Sequence, residues 1–290
     1  MIDPALYARR RARLATLMNE GVAVVRTAPE RLRNRDSSFP FRFDSYFHYL
    51  TGFPEPEAVL VLIAGNNPKS MLFCREKDVE REIWDGFRHG PQMAREAFGF
   101  DETHPIAKLD ELLPQLFANQ AAVFCDIGAD ADWDRQVIGW INKVRAQIRS
   151  GVSAPAEIRD VRRFLDDMRL IKDEHEIGTM RRAAGISSQA HRRAMRAARP
   201  GAREYELEAE LIHEFRRQGA QAPAYTPIVA AGANSCVLHY VQNDAVLRDG
   251  DVVLIDAGCE LDGYAADITR TFPVSGKFSG PQRDIYQLVL

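Results

Sequence analysis

Apolar residues fall into two alternating textures along the first half of the chain. Short apolar runs at 22–25, 58–63, 70–73 and 121–125 have the length of strands buried on both faces. Between and after them, at 78–84, 91–98, 109–117 and 134–149, apolar residues recur at three- and four-residue intervals, the spacing of helices with one buried stripe. The alternation predicts an α/β domain whose sheet is covered by helices. Ser150, Gly151, Ser153 and Pro155 then punctuate the chain. They place a linker within 150–172 and divide the chain into domains over 1–165 and 166–290.

The pattern differs at the start of the chain and again in its second half. Segment 4–18 sets Leu6, Leu14, Leu17 and Met18 at helical spacing with Arg9, Arg10, Arg11 and Arg13 among them. It has no apolar core of a signal peptide, and Asp3, Glu20 and the lack of serine argue against a mitochondrial presequence. A solvated helix is expected there. Two helices open the second half. Asp173 with Glu176 forms a capping box at the start of the first, and Arg199-Pro200-Gly201 ends it. The second runs from about Glu204, buries Leu207, Leu211, Ile212 and Phe215, and stops at Gly219. Strand-like runs follow at 227–231, 237–241, 252–256 and 264–272, separated by turns at Asp249-Gly250-Asp251 and Asp262-Gly263. A last helix begins at Pro281.

Composition narrows the function classes. With 290 residues, 46% of them hydrophobic, the chain can bury two cores. A net charge of −3 offers no basic field for nucleic acid or an anionic membrane, and no run of 18 apolar residues occurs, so neither partner is expected. Cys74, Cys125, Cys236 and Cys259 form no CxxC pair, which suits a reducing, cytoplasmic compartment better than a zinc or disulfide framework. His175, His191 and His213 lack a second ligand at metal spacing and read as surface or packing residues.

Candidate chemistry concentrates in Val252-Val253-Leu254-Ile255-Asp256-Ala257-Gly258 and Asp262-Gly263-Tyr264-Ala265-Ala266-Asp267-Ile268-Thr269-Arg270-Thr271-Phe272. One carboxylate ends an apolar strand and another falls inside the next. In an antiparallel hairpin, Asp256 and Asp267 lie opposite or diagonal, with Cβ atoms about 5 to 8 Å apart. On a buried face such a pair repels, unless one carboxyl keeps a proton or cations sit between them. Divalent ions with oxygen ligands provide that neutralisation. Spacing alone leaves open the alternative that each aspartate caps a turn or accepts from backbone amides.

These two segments resemble the metal-binding strands of the Xaa-Pro aminopeptidases (aminopeptidase P), a family of pita-bread metallopeptidases. The resemblance continues through Asn234, Ser235 and Leu238-His239-Tyr240, similar to the family's substrate loop and histidine strand. It reaches the first half at Arg42, Tyr49-Leu50-Thr51-Gly52-Phe53 and Glu55-Pro56-Glu57-Ala58-Val59-Leu60, similar to the non-catalytic domain. Matches at separate places in the right order cover nearly the whole chain.

The resemblance implies an α/β N-terminal domain of the creatinase/aminopeptidase P type followed by the first half of an α+β pita-bread catalytic domain. It implies two divalent metal ions, usually manganese, with Asp256 on one ion and Asp267 bridging both. His239 corresponds to a histidine that contacts substrate and stabilises charge on the attacked carbonyl. Trp84 resembles a substrate-binding tryptophan that reaches a neighbouring subunit's active site in a homo-oligomer. The implied partners are peptides with proline at position two. One histidine and two glutamates that complete the family's metal site lie beyond the position of Leu290, so the 290 residues alone are expected to be inactive. A prolidase-type dipeptidase and a non-catalytic pita-bread binding module are the alternatives.

Overall fold

A computed structural model describes residues 3–290. It divides into two compact units, one ending at Ile171 and the other starting at Lys172. In the first unit, helix α1 (Pro4–Met18) leads into strand β1 (Gly21–Arg26) and a small hairpin, β2 (Leu32–Asn34) with β3 (Ser37–Ser38). Then follow α2 (Ser45–Thr51), β4 (Val59–Ala64), β5 (Lys69–Cys74), α3 (Val79–Asp85), α4 (Gly90–Phe98) and β6 (Glu102–Pro105). The unit closes with α5 (Leu109–Phe117), β7 (Ala122–Cys125), α6 (Ala131–Arg145), β8 (Glu157–Asp160) and α7 (Arg162–Leu170).

Six of these strands form one mixed sheet in the order β6-β5-β4-β1-β7-β8. Alternating side chains supply its two faces. Ala23, Val25, Leu60, Leu62 and Phe124 join one core with residues of α1, α2, α4 and α7. Val22, Val24, Val61, Phe73 and Val123 join a second with α5 and α6. The apolar runs are continuous because both faces are covered, as the sequence pattern predicts. Helix α7 buries Leu165 and Met168 in the first of these cores, which carries the division past the expected 165/166 position to the Ile171/Lys172 junction.

Helix α1 departs from the solvated helix expected there, because Arg10 and Arg11 are buried. The Arg11 guanidinium donates to Leu50 O at 3.1 Å, Phe98 O at 3.3 Å and Gly99 O, and lies over the Phe100 ring. These carbonyls belong to the C-terminal ends of α2 and α4, where the intrahelical ladder runs out and the dipole favours a cation. Arg10 donates likewise to Tyr49 O at 3.1 Å and stacks on the Tyr49 ring. Burial lowers the Arg11 pKa to about 10, with Asp101 opposing that shift.

The second unit contains α8 (Glu174–Ala197), α9 (Glu204–Arg217), β9 (Ala222–Pro223), β10 (Ile228–Ala231), β11 (Val252–Asp256), β12 (Cys259–Leu261), β13 (Tyr264–Ala265), β14 (Thr269–Pro273) and α10 (Gly280–Val289). Both side chains of the capping box at Asp173 and Glu176 are in place. Two three-stranded sheets, β10-β11-β14 and β13-β12-β9, carry Val229, Val253, Ile255, Cys259 and Leu261 into a core with Ile186, Ala190, Leu207, Leu211 and Phe215 of α8 and α9.

Two strand expectations fail here. Segment 237–241 is irregular, with Val237, Leu238 and Val241 exposed, because no strand among the described residues pairs with it. The run 264–272 breaks into β13 and β14, which belong to different sheets. Among the described residues, no helix is long and apolar enough to cross a membrane.

Replacing Arg11 by Met removes the donors to three carbonyls in a buried setting while keeping most of the aliphatic stem. Each orphaned group costs about 1 to 3 kcal/mol. Arg11→Met is therefore expected to lower unfolding stability by at least about 3 kcal/mol in urea titration, whereas the exposed Arg9 replaced by Met should change it by less than about 0.5 kcal/mol.

Candidate metal and substrate site

The site begins with a turn. Asp262 (φ 50°) and Gly263 (φ 80°) both adopt left-handed backbone, the signature of a tight two-residue hairpin turn between Leu261 and Tyr264. From there the chain pairs back on itself through Leu261↔Tyr264 and Glu260↔Ala265, and then Ala266 N donates to Cys259 O at 3.1 Å. Ala257 N donates to Ile268 O at 3.1 Å, and Asp256 pairs with Thr269. This register sets Asp267 opposite Gly258 and diagonal to Asp256. Both aspartates lie on the face shared by Val252 and Leu254, opposite the Val253 and Ile255 face that enters the core.

Gly258 allows the crossing. A Cβ there would stand 2.2 Å from Ala266 O and 2.9 Å from Asp267 N, contacts that no side chain can have with backbone. Gly258 O also accepts from Ala224 N at 2.9 Å, which fixes the residue before Tyr225. The Tyr225 hydroxyl is 2.5 Å from Asp256 Oδ1 and 2.9 Å from Asp267 Oδ1. One phenol carries one hydrogen, so it can donate to only one of the two carboxylates at a time. Burial and these two carboxylates drive the Tyr225 pKa far up, and the phenol stays protonated.

Asp256 is half-buried and Asp267 exposed. Asp267 therefore sits on an open face and not on the buried one expected, and only Asp256 is partly covered. Asp267 lies between β13 and β14, not inside a strand. Water moderates the repulsion, but two carboxylate oxygens still converge on one point with a single proton between them. That hard-oxygen donor set suits a divalent cation and fills only part of its shell of six or more oxygens. Among the described residues, no cluster of three or more His, Cys, Asp or Glu side chains has metal-ligand geometry.

His239 lies in the same unit on an exposed turn after the 3₁₀ segment Gly232–Cys236. Trp84 is on α3 in the other unit, 84% exposed, beside the equally bare Val79 and Ile83. Tyr225 and Gly258 are what sequence reasoning missed. Tyr225 stands in an irregular stretch with no spacing to mark it, and Gly258 looks like an ordinary turn glycine until its neighbour across the strand is known.

Family models match both units, the aminopeptidase P N-terminal domain over 7–124 and metallopeptidase family M24 over 178–290. The chain belongs to the aminopeptidase P family. It is 46% identical to the Xaa-Pro aminopeptidase of Escherichia coli K12, covering 98% of this chain and 65% of that protein, and 42% identical to the Xaa-Pro aminopeptidase of Haemophilus influenzae, covering 98% and 64%. Its fold superposes on Pseudomonas aeruginosa aminopeptidase PepP with a TM-score of 0.97 at 50% identity, covering 99% of this chain and 66% of that one. Proline aminopeptidase P II from Yersinia pestis gives a TM-score of 0.96 at 45% identity, with 99% and 67% covered. The chain thus spans about 65% of the length of these two curated relatives. The pita-bread assignment of the second unit and the aminopeptidase P assignment of the first both hold.

A buried histidine supports the crossing from behind. His191 on α8 donates from Nε2 to Ala257 O at 3.0 Å, and its Nδ1 is buried with no hydrogen-bond partner among the described residues. Burial holds its pKa below the ordinary 6.5, against the pull of the Ala257 carbonyl. The unfolded chain binds a proton that the folded chain refuses. Stability is therefore full above about pH 6.5 and falls below it, by at most about 1.4 kcal/mol per pH unit. His191→Gln, which keeps a donor for Ala257, should flatten that slope between pH 6.5 and 5 in urea titrations. An unchanged slope would exclude His191 as its source.

Gly258→Ala forces backbone against backbone, so the loss should reach or exceed the ~3 kcal/mol upper range of overpacking. Thermal melts of Gly258→Ala beside Gly280→Ala, a glycine with open space around its Cβ position and no left-handed φ, provide the measurement. Equal melting losses in the two variants would contradict the crossing.

Proposed function

We propose that the chain carries the first metal ligands and the substrate-contacting histidine of an Xaa-Pro aminopeptidase, which hydrolyses the peptide bond between an N-terminal residue and a following proline. The convergence of Asp256 and Asp267 on the Tyr225 hydroxyl carries this reading. Asp256 and Asp267 would hold two divalent ions, manganese in this proposal. When bound, such ions lower the pKa of water toward neutrality and polarise the attacked carbonyl. Tyr225 keeps the carboxylates oriented by donating to one and standing close to the other. His239, exposed on its turn, donates a hydrogen bond to the oxygen on which charge develops.

Supporting the substrate, a glutamate-to-alanine variant of Escherichia coli aminopeptidase P is described in complex with substrate, and the zinc-substituted enzyme in complex with product. The bare Val79, Ile83 and Trp84 face on α3 gives a second copy of the chain an apolar surface, consistent with a homo-oligomer in which Trp84 serves a neighbouring site. Four free cysteines, three of them buried, accord with a reducing cytoplasmic location.

Manganese content and hydrolysis of an Xaa-Pro peptide by the full polypeptide test this assignment. Asp256→Asn and Asp267→Asn should each lose bound manganese together with turnover. His239→Ala should lower kcat by about 10²-fold with manganese content intact. Near wild-type turnover in either aspartate variant would refute the ligand assignment, and an unchanged kcat would remove His239 from the chemistry.

A further inference from the structure

The segment that presents His239 has little to hold it. Between β10 and β11 the chain forms one 3₁₀ segment, Gly232–Cys236, and one isolated bridge, Arg203↔Val246. Val237, Leu238 and Val241 are exposed, and apolar burial beside His239 comes from Tyr240, whose ring packs with Ile228 and Ala230. Glu204, the first residue of α9, is completely buried and accepts four hydrogen bonds. Oε1 takes Ala231 N at 2.7 Å and Asn234 Nδ2 at 3.1 Å. Oε2 takes the Tyr240 hydroxyl at 2.8 Å and Ala245 N at 3.0 Å. The donors come from the last residue of β10, from the middle of the loop and from near its end, and Tyr240 is the next residue after His239.

We infer that Glu204 is a positioning residue for His239, holding the loop 232–247 in one conformation through both carboxylate oxygens. The functional half of this inference rests on the role proposed above for His239. A glutamate at a helix start ordinarily faces water and complements the dipole, and Glu206 already makes that contact by accepting from Arg203 N at 3.1 Å. Burying a carboxylate completely is expensive unless hydrogen bonds replace its water. All four replacements here are neutral donors, and none serves α9 itself. Tyr240 closes the network, because its hydroxyl also accepts from Asn234 Nδ2 at 3.0 Å. Its pKa is pushed up to about 12, by burial and then by the Glu204 carboxylate. Asn243 anchors the far side of the loop, accepting from Val229 N at 3.0 Å and donating to Pro227 O at 2.8 Å.

Glu204→Gln preserves shape but points an amide NH₂ at either Ala231 N–H or Ala245 N–H, whichever way it turns. Hydrogen exchange on the full chain should show protection at Ala231 or Ala245 falling by about tenfold or more, as for a lost buried hydrogen bond. Amides of β11 and β14 should keep theirs. Tyr240→Phe, which leaves both backbone donors satisfied, should loosen the same loop less. Unchanged loop protection, or a loss spread equally over β11 and β14, would overturn the inference. In peptide hydrolysis by the full polypeptide, Glu204→Gln should lower kcat more than it raises KM, and should add nothing to the loss in His239→Ala. Additive losses would show that Glu204 does not act through His239. Failure of the His239 role itself shows separately, as unchanged kcat in His239→Ala, and leaves the exchange result to decide whether Glu204 holds the loop.

Discussion

The close approach of two backbones at Gly258 is the constraint on which the candidate site depends. With no Cβ in the way, the chain just after the strand bearing Asp256 crosses the segment bearing Asp267, and the continuous register puts both carboxylates on one face. The same bend moves β12 and β13 into a second sheet, frees Ala257 O for His191, and lets Gly258 O fix Ala224 beside Tyr225. Core packing of Val253, Ile255 and Cys259 holds the bend from behind, so hydrophobic burial on one face determines ligand geometry on the other.

Polar groups of the chain are recruited in a consistent way. Arg11 in the first unit and Glu204 in the second are both buried charged side chains serving backbone groups that have no partner in their own element. Arg11 supplies donors to carbonyls at two helix ends, and Glu204 supplies acceptors to amides and side chains of an irregular loop. Each needs several simultaneous hydrogen bonds to offset its desolvation. That requirement makes each site specific to one chain conformation, and neither replacement by an apolar residue nor exchange of charge can meet it.

Much of this was legible in the sequence. The sheet of the first unit follows from apolar runs of strand length, and the diagonal aspartates follow from the Asp262-Gly263 turn once the hairpin is assumed. The family was legible from the runs around Asp256, Asp267 and His239. What could not be read were properties of three-dimensional neighbours. The arginines of α1 look solvated because a linear pattern does not show that the ends of α2 and α4 meet them. Segment 237–241 has the composition of a strand, but strand formation needs a partner, and no strand among the described residues pairs with it. Asp267 was expected on a buried face, and it is exposed in the irregular step between β13 and β14. Tyr225 and Glu204 carry no local signal, since their partners lie 27 to 42 residues away.

Anomalous scattering at the manganese edge, from crystals of the full polypeptide grown with the metal, tests the central claim most directly. The account predicts manganese peaks within coordination distance of carboxylate oxygens of both Asp256 and Asp267, on the face they share with Val252 and Leu254 and next to the Tyr225 hydroxyl. Ordered manganese elsewhere, with the two aspartates still hydrogen-bonded to Tyr225 and no metal beside them, would contradict it.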